Sequence, residues 1–351
     1  MAQVRVGIVG AHFAAHLHAN AYRRCPDAAV VAVASRDAER AARFARENAI
    51  PEVYGDYREM LAKGGVDLVS VCVPNHLHCE VVLACAAAHK AIVCEKPLAT
   101  TSSDAKAMVK AAAEAGVSLM YAEDWVFAPA LLRAREIIAE GALGDLLFLK
   151  AKETHSGTHS PYAQKLSTCG GGAMIHLGIH PLACVCHLKE PQKVVEVSAV
   201  CSGGGPRNLL HTDYEGEDWA VAVLTFEDGT RALVEGNYVT VGGLDDVVEI
   251  YGSLGVMKIN LSQGSPISVY SQLGYRYAIE KADMTTGWTR PAVDEELSLG
   301  YPNEIAHFVD CVLRNRPCAS GVRAEDGLRA LLLCEAIYES ARLGRAVRFE
   351  E

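Results

Sequence analysis

Over its first 122 residues the chain alternates short apolar runs with alanine-rich runs of helical length, and nothing else in the sequence constrains the fold as much. Val4–Val9 is apolar and stops at Gly10. Strand-like runs follow at 30–34, 68–73 (closed by Pro74), 91–94 and 118–122. Between them lie helical runs at 14–25, 38–48, 81–88 and 103–116, the last ending on Gly116. Strands that alternate with helices build a doubly wound parallel sheet, and near-continuous apolar strands fit burial on both faces. After Pro129 the rhythm changes. A helix at 130–140 ends at Gly141, and strands then dominate at 146–153, 194–201, 220–226, 231–238, 247–251, 256–260 and 267–271. Glu227-Asp228-Gly229-Thr230 reads as a hairpin turn, so this part is expected to hold a large, mainly antiparallel open sheet. Helices return at 304–314 and 324–343. The expectation is an α/β chain of two domains, 1–122 and 123–351.

Composition narrows the function classes. Of the 351 residues, 50% are hydrophobic and 22% charged, enough apolar material for a large core. The formal charge of −10 argues against a nucleic acid or an anionic membrane as the main partner. No uninterrupted apolar run approaches the roughly 18–20 residues of a membrane span. The opening residues lack a basic region followed by a long apolar stretch, so a cytoplasmic chain is expected. The twelve cysteines are scattered without a CxxC pair, which suits reduced core thiols better than a disulfide or zinc framework.

The turn after the first strand, Gly10-Ala11-His12-Phe13-Ala14-Ala15, stands where a glycine-rich GxGxxG turn would set a helix N-terminus against a pyrophosphate. Its first glycine is standard, His12 replaces the second, and Ala15 is an accepted third residue. The second strand ends at Ser35-Arg36-Asp37. A carboxylate at the ribose position would favour NAD, whereas neutral Ser35 and cationic Arg36 favour the 2′-phosphate of NADP.

Three further motifs follow in order: Pro74-Asn75-His76-Leu77-His78, Glu95-Lys96-Pro97, and the run from Gly170-Gly171-Gly172 through His176 to His180. With Glu325-Asp326-Gly327-Leu328 and Ile337-Tyr338-Glu339 near the end, the chain resembles the glucose–fructose oxidoreductase / inositol dehydrogenase / rhizopine catabolism family over nearly its whole length. The resemblance implies a Rossmann domain, a second α/β domain whose open sheet makes oligomer contacts, and NAD(P)-linked oxidoreduction of sugars, cyclitols or similar alcohols. It implies catalysis by Lys96 and His180. The family's aspartate, four residues before that histidine, is His176 here. A further aspartate position is Ala183, and Glu123–Pro129 lacks the usual arginine. The expected dinucleotide contacts are Gly10, His12, Phe13, Ala14, Ser35, Arg36, Pro74, Asn75, His78, Glu95 and Lys96, with NADP ahead of NAD.

The chemistry fits those residues. Oxidising an alcohol moves a hydride from carbon and a proton from oxygen. A histidine suits the proton step, and a lysine polarises the oxygen. His155, His159, His176 and His180 form two His-x₃-His pairs, a spacing that metal sites use on helices. With no carboxylate or cysteine obviously attached, they read as a polar pocket floor for substrate hydroxyls, with Tyr162 beside them, and no metal is expected. Trp125 could stack on a sugar or aryl face, or equally pack as a buried aromatic. A homodimer or homotetramer acting on a polyhydroxylated small molecule is expected. The alternatives are a redox-neutral NAD-using glycosidase or lyase, and a non-catalytic cofactor-binding sensor.

Overall fold

The computed structural model describes residues 3–262, 265, 267–275 and 286–350. The chain divides into two compact units, Met1–Asp124 with Gly300–Leu331, and Trp125–Leu299 with Leu332–Glu351.

In the first unit, strands β1 (Val4–Val9), β2 (Ala28–Ala34), β3 (Glu52–Tyr54), β4 (Leu68–Val71), β5 (Ala91–Glu95) and β6 (Leu119–Ala122) pair in parallel in the order β3-β2-β1-β4-β5-β6. The order reverses between β1 and β4, the switch point where such sheets open a crevice at their carboxyl ends. All of β4 and β6 is buried, which explains their unbroken apolar sequences. Helices Phe13–Arg23, Ala38–Asn48, Tyr57–Lys63, His78–Ala87 and Ser102–Ala115 follow β1 to β5 in turn. Asp37 caps the second, accepting from Arg40 N at 3.0 Å, and Thr101 caps the fifth, accepting from Asp104 N at 3.1 Å. The sequence pattern misses β3 and the helix after it, because a three-residue strand is too short to show a period.

The segment Gly300–Leu331 belongs to this unit although the sequence assigns it to the second domain. Helix Tyr301–Arg314 buries Ile305, Phe308 and Val309 and packs on Phe13–Arg23. Tyr121 N donates to Val322 O at 2.9 Å, extending the β6 edge. Sequence contiguity does not reveal that a helix returns to an earlier sheet.

The second unit holds β7 (Leu146–Thr154), β8 (Val194–Cys201), β9 (Trp219–Phe226), β10 (Arg231–Asn237), β11 (Val247–Gly252), β12 (Val256–Asn260), β13 (Val269–Ser271), β14 (Gly287–Thr289) and β15 (Val347–Arg348). The large sheet runs β12-β11-β7-β10-β9-β8-β15. Only the β7–β10 pairing is parallel. The hairpin at 227–230 forms as expected, with Gly229 at φ 86° and Phe226 N donating to Thr230 O. Among the described residues β13 pairs only with β14 in a separate ribbon, so the strand expected at 267–271 does not join the large sheet.

One face of the sheet carries Leu149, Ala151, Ala222, Leu224, Ala232 and Val234, all buried. It is covered by a π-helical turn, Met174–Gly178, that continues into helix Ile179–Lys189. Gly178 and Pro181 interrupt the helical pattern there, and the sequence reading finds a motif but no element. A Cβ on Gly236 would lie 2.8 Å from Gly178 N, so helix and β10 meet backbone to backbone. By length and composition Leu166–Lys189 could cross a membrane, but 83% of its most apolar stretch is buried within the protein. None of the twelve cysteines, all among the described residues, forms a disulfide.

Candidate functional site

In the first unit a cleft of about 470 Å³ opens at the carboxyl ends of β1, β2 and β4. Gly10, His12, Ser35, Arg36 and Pro74, five of the residues expected at a dinucleotide, line it. Gly10 has φ 115°, and a Cβ there would overlap the carbonyl of Cys72, so only glycine lets β1 pass β4 this closely. His12 occupies the N-cap of Phe13–Arg23 without capping it by its side chain, and the first turn carries no acid. That helix end remains available to an anion. The His12 ring turns instead to Arg40, whose guanidinium donates to Nε2. Burial, then the Arg40 charge, hold its pKa below the ordinary histidine value, which suits an acceptor nitrogen.

The charged rim was not legible in sequence. Arg40 also pairs with Asp37 at 3.0 Å, and Asp37 already caps Ala38–Asn48. The acid nearest the end of β2 is therefore occupied. Arg58 pairs with Glu80 at 2.6 Å, and the Tyr57 hydroxyl donates to the same carboxylate at 2.9 Å. Of the arginines lining the cleft, Arg36 alone makes no ion pair among the described residues.

Phe13, Ala14, Asn75, His78, Glu95 and Lys96 do not line this cleft. His78 is fully buried, with Nδ1 2.9 Å from Pro97 O and Nε2 2.9 Å from Val73 O. It ties two strand-end loops together and presents no ring to a ligand, a correction to its expected contact role. Glu95 is also buried. It accepts from Lys96 N at 3.0 Å and sits 2.9 Å from Nε2 of His18, a residue that no sequence motif singles out. His18 Nδ1 faces Ser70 Oγ at 3.2 Å, and the Tyr22 hydroxyl lies 2.8 Å from the same oxygen. Burial opposes charge on His18, but Cys72 and Glu95 outweigh it and raise its pKa to about 10. Glu304, from the returning helix, is buried with neither carboxyl oxygen hydrogen-bonded. Burial, then Asp124 and Glu95, push it well above the carboxylate range. The loop carrying Lys96 thus rests on a buried, hydrogen-bonded polar floor.

In the second unit, side chains at 149, 151 and 153 of β7 point under the covering helix. His155 continues that face one pleat further and is also buried. β11 runs antiparallel to β7 with Val247 opposite Lys152 and Val248 opposite Ala151, so the register sets Asp246 across from Glu153. His155 Nε2 lies 3.0 Å from Glu153 Oε1, and His180 Nε2 lies 3.8 Å from Glu153 Oε2. Trp125 stacks on the His180 ring, centroids 5.7 Å apart at 13°. Trp125 is only 2% exposed, so of its two expected roles burial supports packing against the histidine over stacking on a sugar or aryl face. His176 is half-buried. Its Nδ1 meets the Tyr238 hydroxyl at 2.6 Å, and Tyr162 meets its ring edge-on at 6.2 Å. His159 is exposed. The four histidines are therefore not one cluster: His155 and His180 share Glu153, and His176 joins the tyrosines.

The triple glycine sets the start of the helix. A Cβ on Gly171 would overlap the Tyr338 hydroxyl, and one on Gly172 the Glu217 carbonyl. Glu217 Oε1 accepts from Met174 N at 2.8 Å and from the Tyr338 hydroxyl at 3.0 Å. Gly172 N and Ile175 N each donate to that hydroxyl at 3.3 Å. Together these groups satisfy the orphan donors of the turn that leads to His176 and His180. Burial raises Glu217 to about 7 against these hydrogen bonds. The Tyr338 motif was visible in sequence; Glu217 was not, because its partners lie far away along the chain.

Comparison with known proteins matches this arrangement. A family model described as "Oxidoreductase family, NAD-binding Rossmann fold" fits residues 4–123, and "Oxidoreductase family, C-terminal alpha/beta domain" fits 135–349. Trans-1,2-dihydrobenzene-1,2-diol dehydrogenase of Mus musculus is 35% identical over 199 residues, 56% of this chain but only 60% of that enzyme's length. D-apiose dehydrogenase of Paraburkholderia graminis is 29% identical over 98% of this chain and 89% of its own. Among solved structures, GenD2 from gentamicin A biosynthesis, in complex with NAD, superposes with a TM-score of 0.93 at 27% identity, covering 100% of this chain and 97% of that one.

Proposed function

The chain belongs to the Gfo/Idh/MocA oxidoreductase family, with its NAD-binding Rossmann domain, and we propose that it transfers a hydride between a nicotinamide dinucleotide and the hydroxyl- or keto-bearing carbon of a polyhydroxylated small molecule. A sugar, cyclitol or glycoside is the substrate class. The observation that carries this reading is the cleft at the carboxyl ends of β1, β2 and β4, where Gly10 leaves no room for a side chain and a helix N-terminus is free of acid. Those features fit a dinucleotide. Bound there, it supplies the hydride acceptor or donor. The backbone at Gly10 to His12 would hold its phosphates, and Ser35 with Arg36, which makes no ion pair among the described residues, would select NADP(H) over NAD(H).

Lys96 polarises the substrate oxygen and stabilises negative charge on it. His180 takes the hydroxyl proton on its imidazole, or returns it in reduction, and Glu153 at 3.8 Å supplies the compensating charge. His176, oriented by Tyr238, and Tyr162 hydrogen-bond substrate hydroxyls. Phe148, Val200, Val221, Val223 and Leu233 lie on the face of the large sheet away from the helix and are only partly buried or exposed. That face closes a homodimer or homotetramer.

The test is a screen of sugars, cyclitols and glycosides with NADP⁺ and with NAD⁺, following absorbance of the reduced nicotinamide. Steady production supports the proposal. Glycoside cleavage without net reduction, or failure of either dinucleotide to bind in a calorimeter, overturns it.

A further inference from the structure

We propose that Glu153, His155 and Asp246 form a binding site for one divalent transition-metal ion, with His180 at its margin. The inference starts from the strands. Antiparallel register sets Asp246 opposite Glu153, and the two-residue period of β7 sets His155 on the same face as Glu153. All three side chains are buried, at 2–6% exposure. One ligand atom from each falls within 4.8 Å of the others. Like charges directly opposite on neighbouring strands are destabilising, and more so where water is excluded. A cation between the two carboxylates removes that cost.

Glu153 Oε2 points the same way. It is buried and makes no hydrogen bond, while Oε1 faces His155 at 3.0 Å. A buried carboxylate oxygen without a donor is the acceptor a metal would use. Two carboxylates and an imidazole are the mixed oxygen–nitrogen set that zinc and manganese accept, and three protein ligands leave a position open. His180 Nε2, 3.8 Å from Glu153 Oε2, borders that position. A cation there would act as a Lewis acid on a substrate oxygen. The histidine pattern alone gave no such site, because its carboxylates arrive through sheet register and not through helical spacing.

Another compact group, His307, Cys311 and Cys318, has His307 Nε2 already accepting from Ala319 N at 3.0 Å. The test must separate the proposed site from such groups elsewhere. The intact protein, stripped with chelator and dialysed, is titrated with Mn²⁺ while the free-ion electron paramagnetic resonance signal is followed, and Zn²⁺ is then added as competitor. One equivalent of Mn²⁺ is expected to bind and to be displaced by Zn²⁺. Glu153→Gln and Asp246→Asn, which keep shape and a hydrogen-bonding oxygen, are expected to weaken uptake by about 100-fold or more, at or beyond the upper end for lost supporting groups around a metal. Cys318→Ser should leave uptake unchanged, and circular dichroism confirms that each variant is folded. Wild-type protein that takes up neither ion overturns the proposal. So does uptake that persists in both carboxylate variants or disappears in Cys318→Ser. The readout needs no turnover, so it fails or succeeds independently of the hydride-transfer reading.

Discussion

The cleft of the first unit and the buried cluster of the second are built on opposite principles. The cleft is open, lined by strand ends, and shaped by backbone: a glycine that tolerates no Cβ and a helix end without an acid. The cluster is closed, and its polar atoms belong to side chains delivered by β7, by the residue before β11 and by the covering helix. A dinucleotide is held by groups every residue possesses, so a turn at the right place suffices. Proton and oxygen chemistry needs particular side chains at fixed separations, so the second region depends on packing around each of them.

The contrast is sharpest in how each region responds to pH. Glu217, which anchors the helix start of the second region, has its pKa raised to about 7 from 4.5. Its contribution to stability is complete below the unfolded value and is lost as pH rises through about 7. Glu217→Gln should abolish that loss, on the order of 3 kcal/mol, in urea midpoints measured from pH 5 to 8. Identical pH trends in the two proteins would break the view that a neutral acid fixes the helix.

Next in size is catalysis. Lys96→Ala and His180→Ala are each expected to slow single-turnover hydride transfer by about 100-fold or more. Dinucleotide affinity should stay within roughly tenfold in both, because backbone and strand ends hold it. Near-normal turnover in both variants would remove the proposed roles.

Arg36→Ala should shrink the NADP(H)-over-NAD(H) preference by about tenfold, the scale of one lost charge-assisted hydrogen bond. An unaltered ratio by calorimetry would transfer the selection elsewhere in the cleft, with Arg40 the next candidate. The smallest effect is expected at His176. His176→Ala should raise KM roughly fivefold with less change in kcat, as for a single hydrogen bond to substrate. A larger fall in kcat than rise in KM would move His176 from binding to the chemical step.

Local pattern and short motifs were enough for much of this molecule. The alternation of strands and helices determined the first sheet, Gly10 marked its cleft, and the hairpin at 227–230 marked the second sheet. These are properties of consecutive residues: period, turn chemistry and the absence of a Cβ. Tertiary structure decided what no run of consecutive residues contains. It returned Gly300–Leu331 to the first unit, brought the Arg40 guanidinium to His12, and decided between the two readings of Trp125 in favour of packing on His180. It also split four histidines into two groups and set Asp246 within 4.8 Å of Glu153 across 93 positions of chain, because sheet register and helix crossing bring distant side chains together.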